Sequence, residues 1–83
     1  MRYRVEFHAA ASAQIPGLPA EAFRALVDEL LIIAADPHHR GLPHPDDPSG
    51  IFREQVFGGA GLVSYMVDEA AHVVRVYAIT WAG

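Results

Sequence analysis

The sequence predicts a small α+β fold in which two N-terminal helices pack on a small, mainly antiparallel four-stranded sheet, in the order β-α-α-β-β-β. Three observations carry this. Tyr3, Val5 and Phe7 alternate with Arg2, Arg4 and Glu6, the period of a half-buried strand. Between Pro19 and Ala35 apolar residues recur at helical spacing. Beyond Gly50 lie three short apolar runs separated by turn signals.

After the first strand, Ala9, Ala10, Ala11, Ser12, Ala13 and Gln14 favour a short helix that Pro16 and Gly17 must stop. Leu18-Pro19 restarts a helix, because proline is tolerated in a first turn, where its missing N–H would be unpaired anyway. This second helix runs to about Ala35. Its stripe is Phe23, Leu26, Val27, Leu30, Ile33 and Ala34, with Arg24, Asp28 and Glu29 turned away from it. Ile32 sits opposite the stripe, either as a single exposed apolar residue or as part of a partner contact.

Asp36-Pro37 ends the helix. Residues 38–50 carry Pro43, Pro45 and Pro48 without periodicity and read as a loop, whose length invites a functional reading although such prolines also simply stiffen a connection. The runs at 51–57, 62–67 and 72–81 are strands. Gly58-Gly59-Ala60-Gly61 and Asp68-Glu69-Ala70-Ala71 join them as two hairpins. The first strand must find its place by a long-range pairing. No repeat or linker divides the chain, so residues 1–83 read as one domain.

Composition narrows the function classes. The apolar fraction is 52%, but fourteen of those residues are alanine, so the core is thin and a covering partner chain is expected. With no cysteine there is no disulfide, thiolate zinc site or thiol catalysis, and a reducing compartment fits. The opening residues lack the continuous apolar stretch of a signal peptide, and the run from Leu30 to Ala35 is too short to span a bilayer. A soluble, cytoplasmic protein is expected, with no membrane partner. Ten carboxylates against six arginines and no lysine give a net charge of −4, the wrong sign for affinity that rests on neutralising phosphates.

Several groups have reactive chemistry without a convincing arrangement. His38, His39 and His44 with Asp46 and Asp47 have the donor types for zinc or nickel, but neighbours in a proline-rich loop rarely converge tetrahedrally, so a solvated loop is favoured and no metal or other cofactor is expected. His8 and His72 are isolated, and packing or surface roles suit them better than catalysis. Glu54 beside Arg53 reads as paired and solvated rather than as a general base. The glycines at 58, 59 and 61 precede a strand and not a helix, so they make a turn and not a phosphate loop. Trp81 and Tyr77 have the faces to stack a base, with the core the favoured place for Trp81.

Two stretches carry a resemblance. The first is Tyr3-Arg4-Val5-Glu6-Phe7, Ala9-Ala10, Leu18-Pro19 and the helix ending in Asp36-Pro37; the second is Gly61-Leu62-Val63-Ser64-Tyr65-Met66-Val67-Asp68 followed by Val73-Val74-Arg75-Val76. Together they resemble the RelE/ParE superfamily of type II toxin–antitoxin systems, over nearly the whole chain though in common residues. The resemblance implies a RelE-like fold and a cognate antitoxin as partner. For the ribonucleases of that family it implies a ribosome and mRNA as further partners, with basic residues steadying a highly charged phosphorus centre.

The departures bear on chemistry. Where the resemblance leads one to expect an arginine stands Leu62, where it leads one to expect an aromatic stands Gly61, and no basic stretch follows the last strand. Arg53 falls at a position that is often basic in the family, and Arg75 is a second candidate cation. These two are the candidate catalytic residues. Gln55, Tyr65, Tyr77, Trp81 and Ile32 are the candidate substrate or partner contacts. With strands in register, Arg53, Gln55, Tyr65, Arg75 and Tyr77 are expected on one exposed sheet face. The expected function is a RelE/ParE-like toxin, or toxin-derived protein, that works through protein binding with weak or absent ribonuclease chemistry. The alternatives are an active ribosome-dependent mRNA endonuclease using Arg53 and Arg75, and a non-toxic homo-oligomeric domain, for example a homodimer.

Overall fold

The computed structural model describes residues 2–83; Met1, at the head of the alternating opening segment, lies outside the described residues. Strand β1 (Arg4–Phe7) leads into a one-turn helix α1 (Ala9–Ser12), whose first turn is capped by His8 Nδ1 accepting from the Ala10 N–H at 3.2 Å. The helix ends two residues short of the expected Gln14, with Ala13 and Gln14 in a turn, and Pro16 lies in a 3₁₀ turn at Ile15–Gly17. Helix α2 (Ala20–Ala35) starts directly after Pro19, whose carbonyl accepts from the Phe23 N–H at 2.9 Å.

The buried residues of α2 are Ala22, Leu26, Glu29, Leu30, Ile33 and Ala34. Phe23 and Val27, expected in the stripe, are largely exposed, and Glu29, expected away from it, is only 7% exposed. The helix is thus rolled relative to its apolar pattern. The roll carries Glu29 towards Arg40, whose Nε and Nη2 donate to its two carboxylate oxygens at 2.9 and 3.0 Å.

A second 3₁₀ turn (Pro37–His39) precedes β2 (Leu42–Pro43), β3 (Phe52–Phe57), β4 (Gly61–Asp68) and β5 (Val73–Trp81). The five strands form one mixed sheet in the order β1-β5-β4-β3-β2. This adds a fifth strand to the four expected and settles the orientation of β1, which the sequence left open. The long-range pairing of β1 is parallel to β5, with Val5 opposite Val74 and Phe7 opposite Val76. The segment expected as plain loop contributes β2, with Leu42 opposite Glu54 and Pro43 opposite Arg53. Pro43 is tolerated because β2 is an edge strand, where a missing N–H breaks no inner ladder.

The hairpins fall where the turn residues put them. Gly58 and Gly59 take φ of 59° and 77° between β3 and β4. The core lies between α2 and one sheet face, where Leu26, Ile33, Val63, Tyr65, Val74 and Val76 are inaccessible to solvent. Phe52, Glu54, Val56, Leu62, Met66 and Arg75 occupy the opposite, outer face. The β4–β5 register shifts between Ser64, opposite Ala78, and Tyr65, opposite Val76. The extra residue is Tyr77, whose ring shares the outer face with Arg75 two residues before it and meets Phe52 edge-on at 5.8 Å.

Candidate functional site

Two layers of side chains are built around the segment from Arg40 to Phe52, one beneath the sheet and one upon it. Beneath it, Arg53 is only 9% exposed. Its Nε donates to the Arg40 carbonyl at 3.0 Å, Nη2 to Gly41 O at 3.1 Å and Nη1 to Gly50 O at 3.2 Å. One guanidinium therefore fastens both ends of the loop to β3. Tyr65, opposite Arg53 in the ladder, donates its hydroxyl to the same Arg40 carbonyl at 2.5 Å. Burial raises the Tyr65 hydroxyl's pKa above the ordinary tyrosine value, against the lowering influence of Arg53 and Arg40.

The loop itself is ordered by local hydrogen bonds. Asp47 Oδ1 accepts from the Ser49 hydroxyl at 2.6 Å and the Ser49 N–H at 3.0 Å, while Oδ2 accepts from the Phe52 N–H at 2.8 Å. These donors hold the Asp47 carboxyl below its usual range, the serine hydroxyl most strongly. His44 N–H donates to Phe52 O at 2.7 Å, and His44 Nδ1 accepts from the Asp46 N–H at 3.2 Å. No group of three or more His, Asp or Glu side chains able to hold a metal ion occurs among the described residues.

On the outer face, His44, Asp46, Asp47, Phe52 and Tyr77 line an open pocket of about 370 Å³. Burial raises the Tyr77 pKa, with Glu54 and Asp47 adding to it, so the phenol stays protonated at neutral pH. Arg75 lies on the same face, but its Nη1 donates to Asp68 Oδ2 at 2.6 Å and its Nε stands 3.5 Å from Glu6 Oε1. The Asp68 carboxyl is lowered chiefly by this arginine.

The five residues expected on one exposed face are therefore divided by the sheet. Arg53, Gln55 and Tyr65 have the parity of the helix side, and Arg75 and Tyr77 that of the outer side. The register pairs Arg53 with Tyr65 and Val76 on one face and Phe52 with Met66 and Arg75 on the other, and apolar residues at both parities of each strand left this open in the sequence. Gln55 Nε2 donates to Val56 O at 3.1 Å. Trp81 stacks on Phe57 at 5.8 Å and packs against the core edge. Ile32 is 48% exposed beside Leu31 at 50%.

The substituted positions have local causes. A Cβ at Gly61 would overlap the Phe57 ring, so the aromatic space there is filled from β3. Leu62 lies opposite Val56 on the outer face, where both are exposed. A further cluster gave no sequence signal, because its members are far apart in the chain. Tyr3 Oη donates to Glu69 at 2.7 Å, His38 Nε2 pairs with the same carboxylate, and the Tyr3 and His72 rings stack at 4.8 Å. The Tyr3 and His38 hydrogen bonds lower the Glu69 pKa.

The whole arrangement superposes on known structures. A RelBE toxin–antitoxin complex from Mycobacterium tuberculosis matches with a TM-score of 0.84 at 18% identity, covering 99% of this chain and 100% of that one. The isolated RelE toxin of E. coli matches with a TM-score of 0.85 at 17% identity, covering 98% and 85%. The fold is RelE-like. An archaeal RelE–RelB complex from Pyrococcus horikoshii agrees at a TM-score of 0.70 and 21% identity, over 100% of this chain and 98% of that chain. No protein-family model and no curated protein matches the sequence. At these identities the RelE-like likeness is one of fold, and the chemistry rests on this chain's own side chains.

Proposed function

We propose that this RelE-like chain is a toxin, or a toxin-derived protein, of a type II toxin–antitoxin system that acts by binding protein, with ribonuclease chemistry weak or absent. The observation that carries the reading is the occupation of its two candidate catalytic cations. Arg53 gives three donor nitrogens to backbone carbonyls below the sheet, and Arg75 is held by Asp68 and Glu6. Asp46, Asp47 and Glu54 then dominate the neighbourhood of the outer pocket, and a phosphodiester brought there would meet like charge.

A docking surface for an antitoxin is supplied by α2. Phe23, Val27 and Leu31 recur every four residues and are all exposed, a strip of the kind an amphipathic helix covers. Exposed Ile32 continues the apolar surface around the helix. The thin core predicted from the alanine content gives such a cover a stabilising role. No helix among the described residues is long and apolar enough to cross a membrane. A cytoplasmic location with its partner belongs to the same proposal and is supported by the cysteine-free composition, which suits a reducing compartment.

The test is induction in a bacterial host, alone and together with the small protein encoded beside it. The expected result is intact mRNA in both cases and a stable complex with the neighbouring protein. Ribosome-dependent mRNA cleavage would replace this reading with the endonuclease, and a purified homodimer that ignores the neighbouring protein would replace it with the homo-oligomer.

A further inference from the structure

We propose that the outer-face pocket between Phe52 and Tyr77 receives an arginine side chain presented on an extended basic segment of a protein partner. The pocket has the walls a guanidinium uses. Two aromatic rings meet edge-on at 5.8 Å, leaving faces on which a planar cation stacks. Asp46 stands beside them, and its carboxylate makes no hydrogen bond or ion pair among the described residues. Asp47 spends its oxygens on Ser49 and Phe52 and so contributes field more than direct contact.

Charge decides between occupants. No arginine lines the pocket, Arg53 lies below the sheet, and Arg75 on the same face is already paired. Glu54 and Asp47 both act on the Tyr77 hydroxyl, whose oxygen is free to accept from a guanidinium N–H. An anionic ligand would enter this field with no arginine or lysine to meet it, His44 being the one basic side chain in the lining, whereas a basic side chain neutralises it. Exposed Leu42, Val56 and Leu62 extend the surface with apolar ground for aliphatic stems.

The pocket is also formed in advance. Arg53 fastens the loop at Gly41 and Gly50, and Asp47 fixes its inner turn, so little ordering is left for binding to impose. The inference goes beyond the antitoxin strip on α2, which faces away from this side of the sheet. It shares with the proposed function only the treatment of the outer face as a protein contact.

The experiment follows backbone amide shifts of the full chain during titration with an acetylated Gly-Arg-Gly amide repeat, its Gly-Glu-Gly counterpart and a short single-stranded RNA. Shifts confined to the segments around Asp46, Phe52 and Tyr77, with the arginine peptide alone, support the site. Asp46→Asn is expected to weaken the peptide about fivefold, and Asp28→Asn, the same charge change on α2, to leave it unaltered. Equal weakening by both variants would reduce the effect to net charge and overturn the proposal. So would tighter binding of the RNA at the same amides, or no arginine-dependent shift at millimolar peptide. The mRNA and partner assays of the proposed function are independent of this titration, so each can fail alone.

Discussion

The Arg53 guanidinium and the Gly41 carbonyl are joined at 3.1 Å, and through this bond β3 holds the start of the loop that shapes the outer face. Arg53 reaches Arg40 O and Gly50 O as well, so its removal leaves Gly41 O and Gly50 O in a part-buried site without this donor and Arg40 O with the Tyr65 hydroxyl alone. Arg53→Ala should cost about 2–4 kcal/mol, and Arg53→Lys should recover little, because one ammonium cannot span three separated carbonyls. Thermal unfolding checks this, with a Tm drop above about 8 °C expected for the alanine variant. A variant that keeps its Tm would remove the fastening role. Loss of any cellular effect in Arg53→Ala therefore has to be judged against its folded fraction.

Tyr65 shares the Arg40 carbonyl with Arg53, which makes their contributions interdependent. Tyr65→Phe deletes one donor from a buried position and should destabilise by about 1–2 kcal/mol. Combined with Arg53→Ala it should cost measurably less than the sum, because the second deletion acts on a loop already released. A double-mutant cycle in urea gives the answer, and strict additivity would show that the two side chains hold the loop separately.

Gly41 takes φ of +76°, and a Cβ there would lie 2.6 Å from Tyr65 Oη and 2.7 Å from Glu54 O. Both the backbone and the space demand glycine. Gly41→Ala should destabilise by about 2 kcal/mol or more, whereas Gly17→Ala, with nothing within 4 Å, should be near neutral in the same urea melts.

How far the sequence reached depends on how local each signal is. The alternation at Tyr3, Val5 and Phe7, the Pro19 start of α2 and the two hairpins were legible, because strand period, proline and glycine act on their own neighbours. The parallel partner of β1 was not, since pairing Val5 with Val74 joins distant parts of the chain. The pairing strand β2 hid within three prolines. The site failed for a different reason. Arg53 and Arg75 are equally plausible cations as letters, and only the carbonyls of Arg40, Gly41 and Gly50 and the carboxylates of Asp68 and Glu6 distinguish a fastening from an exposed pair.

Acid should loosen the protein at its turns. Asp47, Asp68 and Glu69 all have carboxyls held below the ordinary range, by Ser49, by Arg75, and by Tyr3 with His38 respectively. Folded pKa values below unfolded ones mean that the unfolded chain binds more protons as pH falls. Their stabilisation is therefore complete above the unfolded carboxylate range, about pH 4, and is lost as pH falls through the folded values. Tm measured from pH 7 downwards should hold and then fall below about pH 4, and Asp47→Asn should reduce the slope. An unchanged slope would mean that Asp47 gains nothing from its ionised form.

Arg75 and Leu31 separate the competing readings without the folding penalty that burdens Arg53. Arg75 pairs with Asp68 and Glu6 near the surface, so Arg75→Ala should lower Tm by no more than about 5 °C, well short of the Arg53→Ala effect. Under the binding reading it also leaves capture of the neighbouring antitoxin unchanged. Leu31 is half exposed, with Val27 and Phe23 one and two turns before it on the same flank of α2. Leu31→Asp places a carboxylate in the strip that the partner helix would have to desolvate, at little cost to the free chain. Affinity for the antitoxin, measured by calorimetry, should fall at least about tenfold while Tm of the isolated chain holds. Should Leu31→Asp bind as tightly as the parent, the docking surface lies elsewhere. If Arg75→Ala instead abolishes an mRNA cleavage present in the parent, the outer face is catalytic and the antitoxin is its inhibitor.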